Sequence, residues 1–245
     1  MKTVYESPYR TICLQDGMAD SQYPVPLWLS RMCVGEGGKK CTPEHCCAMI
    51  WALINRYLLH PFRDNWPNDF ISFVMAFSQP INPRWQYGGD LAIKNKSSDA
   101  KLRRRKSICE MEMHDIPDDI TSTVYDMING KIGITMLSYI SQGKRISNWC
   151  ANSRSARKRY PYGINIGDNW FLEDPDLCDG EVVIIQVETD MSIDVHPHIV
   201  PDPFYDTIST VCDMYDNKKD YKSDDKNEIF VTSLLDIYRM WLEKK

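Results

Sequence analysis

Glu36 stands among three glycines in VGEGGKKC, immediately before the apolar run EHCCAMIWALINRYLL. A carboxyl in that setting can cap a helix, bind a metal, or donate a proton. The cap reading places a glutamate in a glycine turn at the surface. The metal reading draws on Cys33, Cys41, His45, Cys46 and Cys47, which cluster around it. That set lacks a paired C-x-x-C, and Cys46 and Cys47 fall on a helix face built for burial, so no metal site is expected. The proton-donor reading requires a pKa raised towards neutrality, which an apolar, aromatic-walled setting with few cations supplies. Cleavage of a glycosidic bond is one reaction that needs such an acid, although Glu36 taken alone is not specific to it. Hydrolysis through two carboxylates would need a second acid across the sugar, and no second acid is evident.

Other chemistries find little footing. There is no G-x-S-x-G, no cysteine with a matching His signature, and no phosphate-binding loop: GEGG lacks the Lys-Ser/Thr and follows a helix rather than a strand. His196 and His198 flank Pro197 and read as exposed extended chain. LRRRK at 102–106 is a solvated basic face or, as a distant rival, a nucleic-acid contact. The chain's net charge of −5 argues against the latter.

The elements that must position Glu36 read as follows. Pro24 and Pro26 open a short helix, with Leu27, Trp28 and Met32 on one face that Arg31 could join, and Gly35, Gly37 and Gly38 end it. Glu36 thus lies at the negative end of a helix, a poor place for a charged cap. Thr42 and Pro43 start the next helix as N-cap and first-turn proline. Its face is Cys46, Cys47, Ile50, Leu53, Ile54, Tyr57 and Leu58, and Pro61 stops it. Asn68 caps a third helix with Phe70, Ile71, Val74 and Phe77 inward. Residues 94–106 read as a polar loop entering a helix, 117–129 and 132–140 as helices, and EVVIIQVET as the clearest strand. Residues 1–23 read as an irregular lead-in, 192–203 as extended, 217–227 as a charged loop and 229–242 as a terminal amphipathic helix.

Composition allows a sizeable core, since 43% of the 245 residues are hydrophobic. No apolar run reaches the roughly 18 residues of a membrane span, and the opening MKTVYESPYRTICLQDG lacks the apolar stretch of a secretory signal. Nine cysteines, without a regular framework, are expected to be reduced and mostly buried filler.

Several stretches, in order, resemble the SleB-type cell-wall hydrolase (spore-cortex-lytic) family. Glu36-Gly37-Gly38 leads to AMIWALINR at 48–56, as the family's acidic helix end leads to A-V-A-x-V-x-L-N-R. AFSQPINPRW at 76–85 is similar to its Q-F-S segment with a nearby Trp, in a form most like bacteriophage-encoded members. IGDNWF at 166–171 resembles its I-G-x-H-x-F-Y element, with Asn169 in place of the His. The usual second acid of the opening motif is absent, and Lys39 and Lys40 stand nearby, expected to face solvent.

The resemblance implies a mainly α (α+β) protein: a lead-in at 1–26, a lysozyme-like helical domain at 27–173, and an extension at 174–245 with a short strand and a terminal helix. It implies cleavage of peptidoglycan between N-acetylmuramic acid and N-acetylglucosamine, by a lytic transglycosylase with Glu36 as acid and then base. Phe77, Ser78, Gln79, Trp85, Tyr87, Asn169 and Trp170 would bind the sugars, and Asn55 and Arg56 would pin the Glu36 loop. Core packing is the alternative role for each aromatic. No metal or organic cofactor is implied. The expected partners are glycan strands, and virion proteins through the extension, in a protein that rides in the virion or waits in the host cytoplasm. The alternative is an inactive virion structural or glycan-binding protein of the same fold.

Overall fold

The computed structural model describes residues 2–14, 24–60, 67 and 69–187. The long helix α2, Pro43–Leu59, is the centre of the fold. Fourteen of its residues are buried, on every side rather than along one stripe, as suits a helix enclosed by other elements. Thr42 caps it by accepting a hydrogen bond from the His45 amide at 3.2 Å, and Pro43 occupies the first turn. Around it pack α1 (Val25–Gly37), α3 (Phe70–Phe77), α6 (Asp118–Ile128) and α7 (Ile134–Ile140).

Two small antiparallel sheets complete the body. In one, β1 (Lys2–Glu6) lies between β2 (Thr11–Leu14) and β6 (Val183–Val187). In the other, β5 (Asn169–Leu172) lies between β3 (Asn148–Ala151) and β4 (Ile164–Ile166). The architecture is helix-rich α+β.

Residues 2–14 are therefore not an irregular lead-in. Val4 pairs with both Cys13 and Ile185, and the Tyr5 hydroxyl, fully buried, donates to the Met127 carbonyl of α6 at 3.0 Å. The strand expected in EVVIIQVET is present as β6, and its partner is β1. The strand thus ties part of the expected extension to the opening residues. The stretches at 192–203, 217–227 and 229–242, with His196, His198 and Cys212, lie outside the described residues.

α1 buries Leu29, Met32 and Cys33, while Leu27 and Trp28 are only partly covered. The buried stripe is rotated from the expected face, and Arg31 is buried because its guanidinium donates to the Met111 carbonyl at 2.6 and 2.8 Å. Asp69, not Asn68, caps α3, accepting from the Ser72 amide at 2.8 Å; Asn68 itself lies outside the described residues. The basic stretch at 94–106, expected as a loop running into a helix start, enters its helix early: α5 spans Asp99–Glu110 and follows the short α4 (Asp90–Lys94). α8 (Arg154–Arg159) bridges β3 and β4 in sequence.

The last turn of α1 meets the turn after α3 at unusually close range. A Cβ built on Gly35 would lie 2.5 Å from the Pro80 Cβ, so only glycine permits the approach. Replacement of Gly35 by Ala is expected to destabilise the protein by about 1–3 kcal/mol through overpacking, despite alanine's better helix propensity. A lower urea midpoint at unchanged m-value would show it; an unchanged midpoint would contradict the packing described.

Candidate active site

Glu36 sits in the last turn of α1. The helix ends immediately after it, where Gly38 takes φ 66° and its amide bonds back to Val34. The side chain turns into a cleft of about 450 Å³. Leu53, Phe77, Pro80 and Ile108 supply apolar lining, and the strand residues 147–151 form the facing wall.

Three donors meet the Glu36 carboxyl. The Ser78 hydroxyl donates to Oε1 at 3.0 Å, the Trp149 indole Nε1–H to Oε2 at 3.4 Å, and the Gln79 backbone amide adds a third bond. Burial nevertheless holds the pKa above the ordinary glutamate value. The three hydrogen bonds and the nearby Arg104 pull in the opposite direction without overcoming it. The helix terminus acts in the same sense as burial, because a carboxylate there faces the negative end of the dipole. Lys40 is exposed, as expected; the cation that acts on Glu36 is Arg104, whose Nη2 donates to the Gly35 carbonyl at 3.2 Å.

Trp149 is the residue that sequence reasoning missed, and its position explains Asn55 and Arg56. These two do not pin the Glu36 loop directly. Asn55 Nδ2 donates to the Ile146 carbonyl at 2.9 Å, and Arg56 Nη1 to the Ser147 carbonyl at 3.4 Å. The Arg56 guanidinium also lies 4.4 Å from the Phe77 ring centroid and 3.3 Å from Asp174. Together they fix the segment that leads into β3, and β3 brings Trp149 to Glu36.

Of the expected sugar-binding residues, Phe77, Gln79 and Asn169 line the cleft with Glu36, and Ser78 holds the acid itself. Asn169 is buried, and its Nδ2 has no hydrogen-bond partner among the described residues. Trp85, Tyr87 and Trp170 do not line the cleft. Trp85 is stacked beneath Arg105 at 4.9 Å and accepts from it through its carbonyl. Tyr87 is half exposed and directed to the Asp99 carbonyl. Trp170 alternates with Asn169 and Phe171 along β5, so it points to the opposite face, where its indole donates to Tyr160. Phe171 is fully buried core, packed against His45 and Trp149.

Three cysteines near Glu36 in sequence are held in the thiol form. Burial raises Cys41 and Cys47 to about 12 and Cys33 well above its usual value, so all three are thiols at neutral pH. Among the described residues, the His, Cys, Asp and Glu side chains that converge are His60, Asp174 and Asp176, none of which lines the cleft, with Arg56 paired to Asp174. Glu36 is the only acid among the described residues that line the cleft. Comparison with family models, with curated proteins and with solved structures finds no match to the chain.

The raised pKa makes Glu36 a liability for stability. The native state binds its proton more tightly than the unfolded chain, so stability falls as pH rises from the unfolded value through the native one. Glu36→Gln is therefore expected to raise the thermal midpoint at pH 7 and to lose that advantage near pH 4. Equal midpoints at pH 7, or an advantage confined to low pH, would contradict the assignment.

Proposed function

We propose that the protein cleaves peptidoglycan glycan strands between N-acetylmuramic acid and N-acetylglucosamine, as a lytic transglycosylase of lysozyme-like fold. The observation that carries this reading is a single, largely buried carboxyl lining a cleft of about 450 Å³, with no second acid among the described lining residues. The resemblance of the 36–56, 76–85 and 166–171 segments to cell-wall hydrolases points to the same chemistry.

One acid suffices for this reaction. Protonated Glu36 gives its proton to the glycosidic oxygen as the bond from C1 breaks. The oxygen with the longer hydrogen bond, Oε2 at 3.4 Å from Trp149, is the less committed and is assigned the proton. The carboxylate left behind is stabilised by Ser78, Trp149 and the Gln79 amide, which oppose its return to the acid form until a proton is offered. The sugar's own 6-hydroxyl then attacks C1 and passes its proton to Glu36, closing a 1,6-anhydro ring. The acid is restored and no water is consumed. Leu53, Phe77, Pro80 and Ile108 keep water from competing and sustain the raised pKa.

Purified protein incubated with cell-wall sacculi is expected to release muropeptides with anhydro-muramyl ends. Glu36→Gln should lose at least about 100-fold in rate. Reducing ends in their place would mean hydrolysis. No release by the wild type would overturn the enzyme reading and leave a glycan-binding or structural protein.

The rate should fall as pH rises through the Glu36 pKa. Trp149→Phe and Ser78→Ala each remove a bond that favours the carboxylate, so this basic limb should move to higher pH. A shift to lower pH in both variants would contradict the assigned hydrogen bonds.

A further inference from the structure

α5 contributes Lys101, Arg104, Arg105 and Ile108 to the lining of the Glu36 cleft, the spacing of one helix face. The three cations are not equivalent. Arg105 is buried and committed: its Nη1 donates to the Trp85 carbonyl at 3.0 Å and to the Ser97 hydroxyl at 3.2 Å, over the Trp85 ring. Arg104 is exposed and spends one nitrogen on the Gly35 carbonyl, leaving the rest of its fork open. Lys101 is exposed and has no hydrogen bond or ion pair among the described residues.

Neither Lys101 nor Arg104 is neutralised locally. α5 carries no acid between Asp99 and Glu110, Lys106 takes Glu110, and the cleft's only described acid is Glu36. Arg104 in fact works against a proton donor, since its charge pulls the Glu36 pKa down. A cation beside a proton donor, as Arg104 is, is a cost unless a bound ligand uses it, and Lys101 lines the same cleft unpaired among the described residues.

We infer that Lys101 and Arg104 form a carboxylate-recognition wall, which engages free carboxylates carried by the muramyl units of the glycan strand. This rests on the proposed cleavage of peptidoglycan. An open guanidinium fork suits a carboxylate in bidentate fashion, and a lysine beside it adds a second, mobile charge. A cleft with low-dielectric walls concentrates such a field. The alternative anionic polymer, nucleic acid, fits less well: phosphate tracking needs a longer basic stripe, and the chain's net charge is −5.

The test uses the full chain carrying Glu36→Gln, so that binding is read without cleavage. Its retention is measured on native sacculi and on sacculi whose free carboxylates have been amidated. Native sacculi should retain it at least about tenfold more tightly, the order of one charge-assisted hydrogen bond. Adding Lys101→Gln should erase most of that difference, and Arg104→Lys, which keeps the charge, should retain more of it than Arg104→Gln. Equal retention on both sacculi, or a Lys101→Gln loss of the same size on both, would overturn the wall. Retention on duplex DNA that Lys101→Gln abolishes, with sacculi binding unchanged, would overturn it in favour of nucleic acid. If wild-type protein releases no muropeptides while Glu36→Gln still discriminates the two sacculi, the wall stands and the cleavage reading falls.

Discussion

Everything at the site depends on one carboxyl held out of water against three donors that would rather see it charged. Hydrogen bonds to an ionised group are worth roughly 1.5–3 kcal/mol each, so Ser78, Trp149 and the Gln79 amide make a serious case for the carboxylate. Burial at a helix end outweighs them. Burial and the three donors thus oppose one another at a single carboxyl, with burial the larger.

Holding that balance takes a long chain of ordinary contacts. Gly35 lets the end of α1 touch Pro80, and Gly38 turns the chain away immediately after Glu36. Asn82 ties the turn after α3 by donating to the Ala76 carbonyl at 2.7 Å and accepting from the Arg84 amide. On the far side, α2 reaches through Asn55 and Arg56 to residues 146 and 147, and so fixes Trp149. Because α2 is buried on all sides, both walls of the cleft are referred to the same rigid element. The buried thiols of Cys33 and Cys46 serve as packing between α1 and α2, their sulfurs in direct contact.

Much of this was legible in the sequence where the signal is local. The Thr42-Pro43 start of α2, the glycine stop after Glu36, and the Ile120, Val124, Met127, Ile128 stripe of α6 all express their structure within one or two turns. The failures are tertiary. The stripe of α1 was misplaced at Leu27 and Trp28, which are only partly covered, whereas Leu29 and Cys33 are buried; the Met111 carbonyl that holds Arg31 comes from far along the chain, which no periodicity can announce. β1 escaped notice because all four residues from Thr3 to Glu6 are buried, which removes the alternation that marks a strand. α5 has two buried residues and reads as a loop by hydropathy. At the site, Glu36 could be named because it lies at a helix end among glycines, and Ser78 and Gln79 because AFSQPINPRW resembles a family segment. Trp149 could not, since only the pairing of β3 with β5 and the reach from α2 deliver it. Trp85 and Trp170 were attractive as aromatics near motifs, yet strand parity and a stacked arginine assign both elsewhere.

The measurement that bears most directly on the central claim is the titration of the Glu36 carboxyl itself, followed by carbon NMR of side-chain-labelled glutamate in the full chain, with Glu36→Gln to assign the resonance. A midpoint above that of the exposed glutamates, moving higher still in Trp149→Phe, is the result predicted by a carboxyl kept protonated by burial. A midpoint at or below the exposed glutamates would mean that the donors and Arg104 prevail, and that Glu36 is a resting carboxylate with no proton to give.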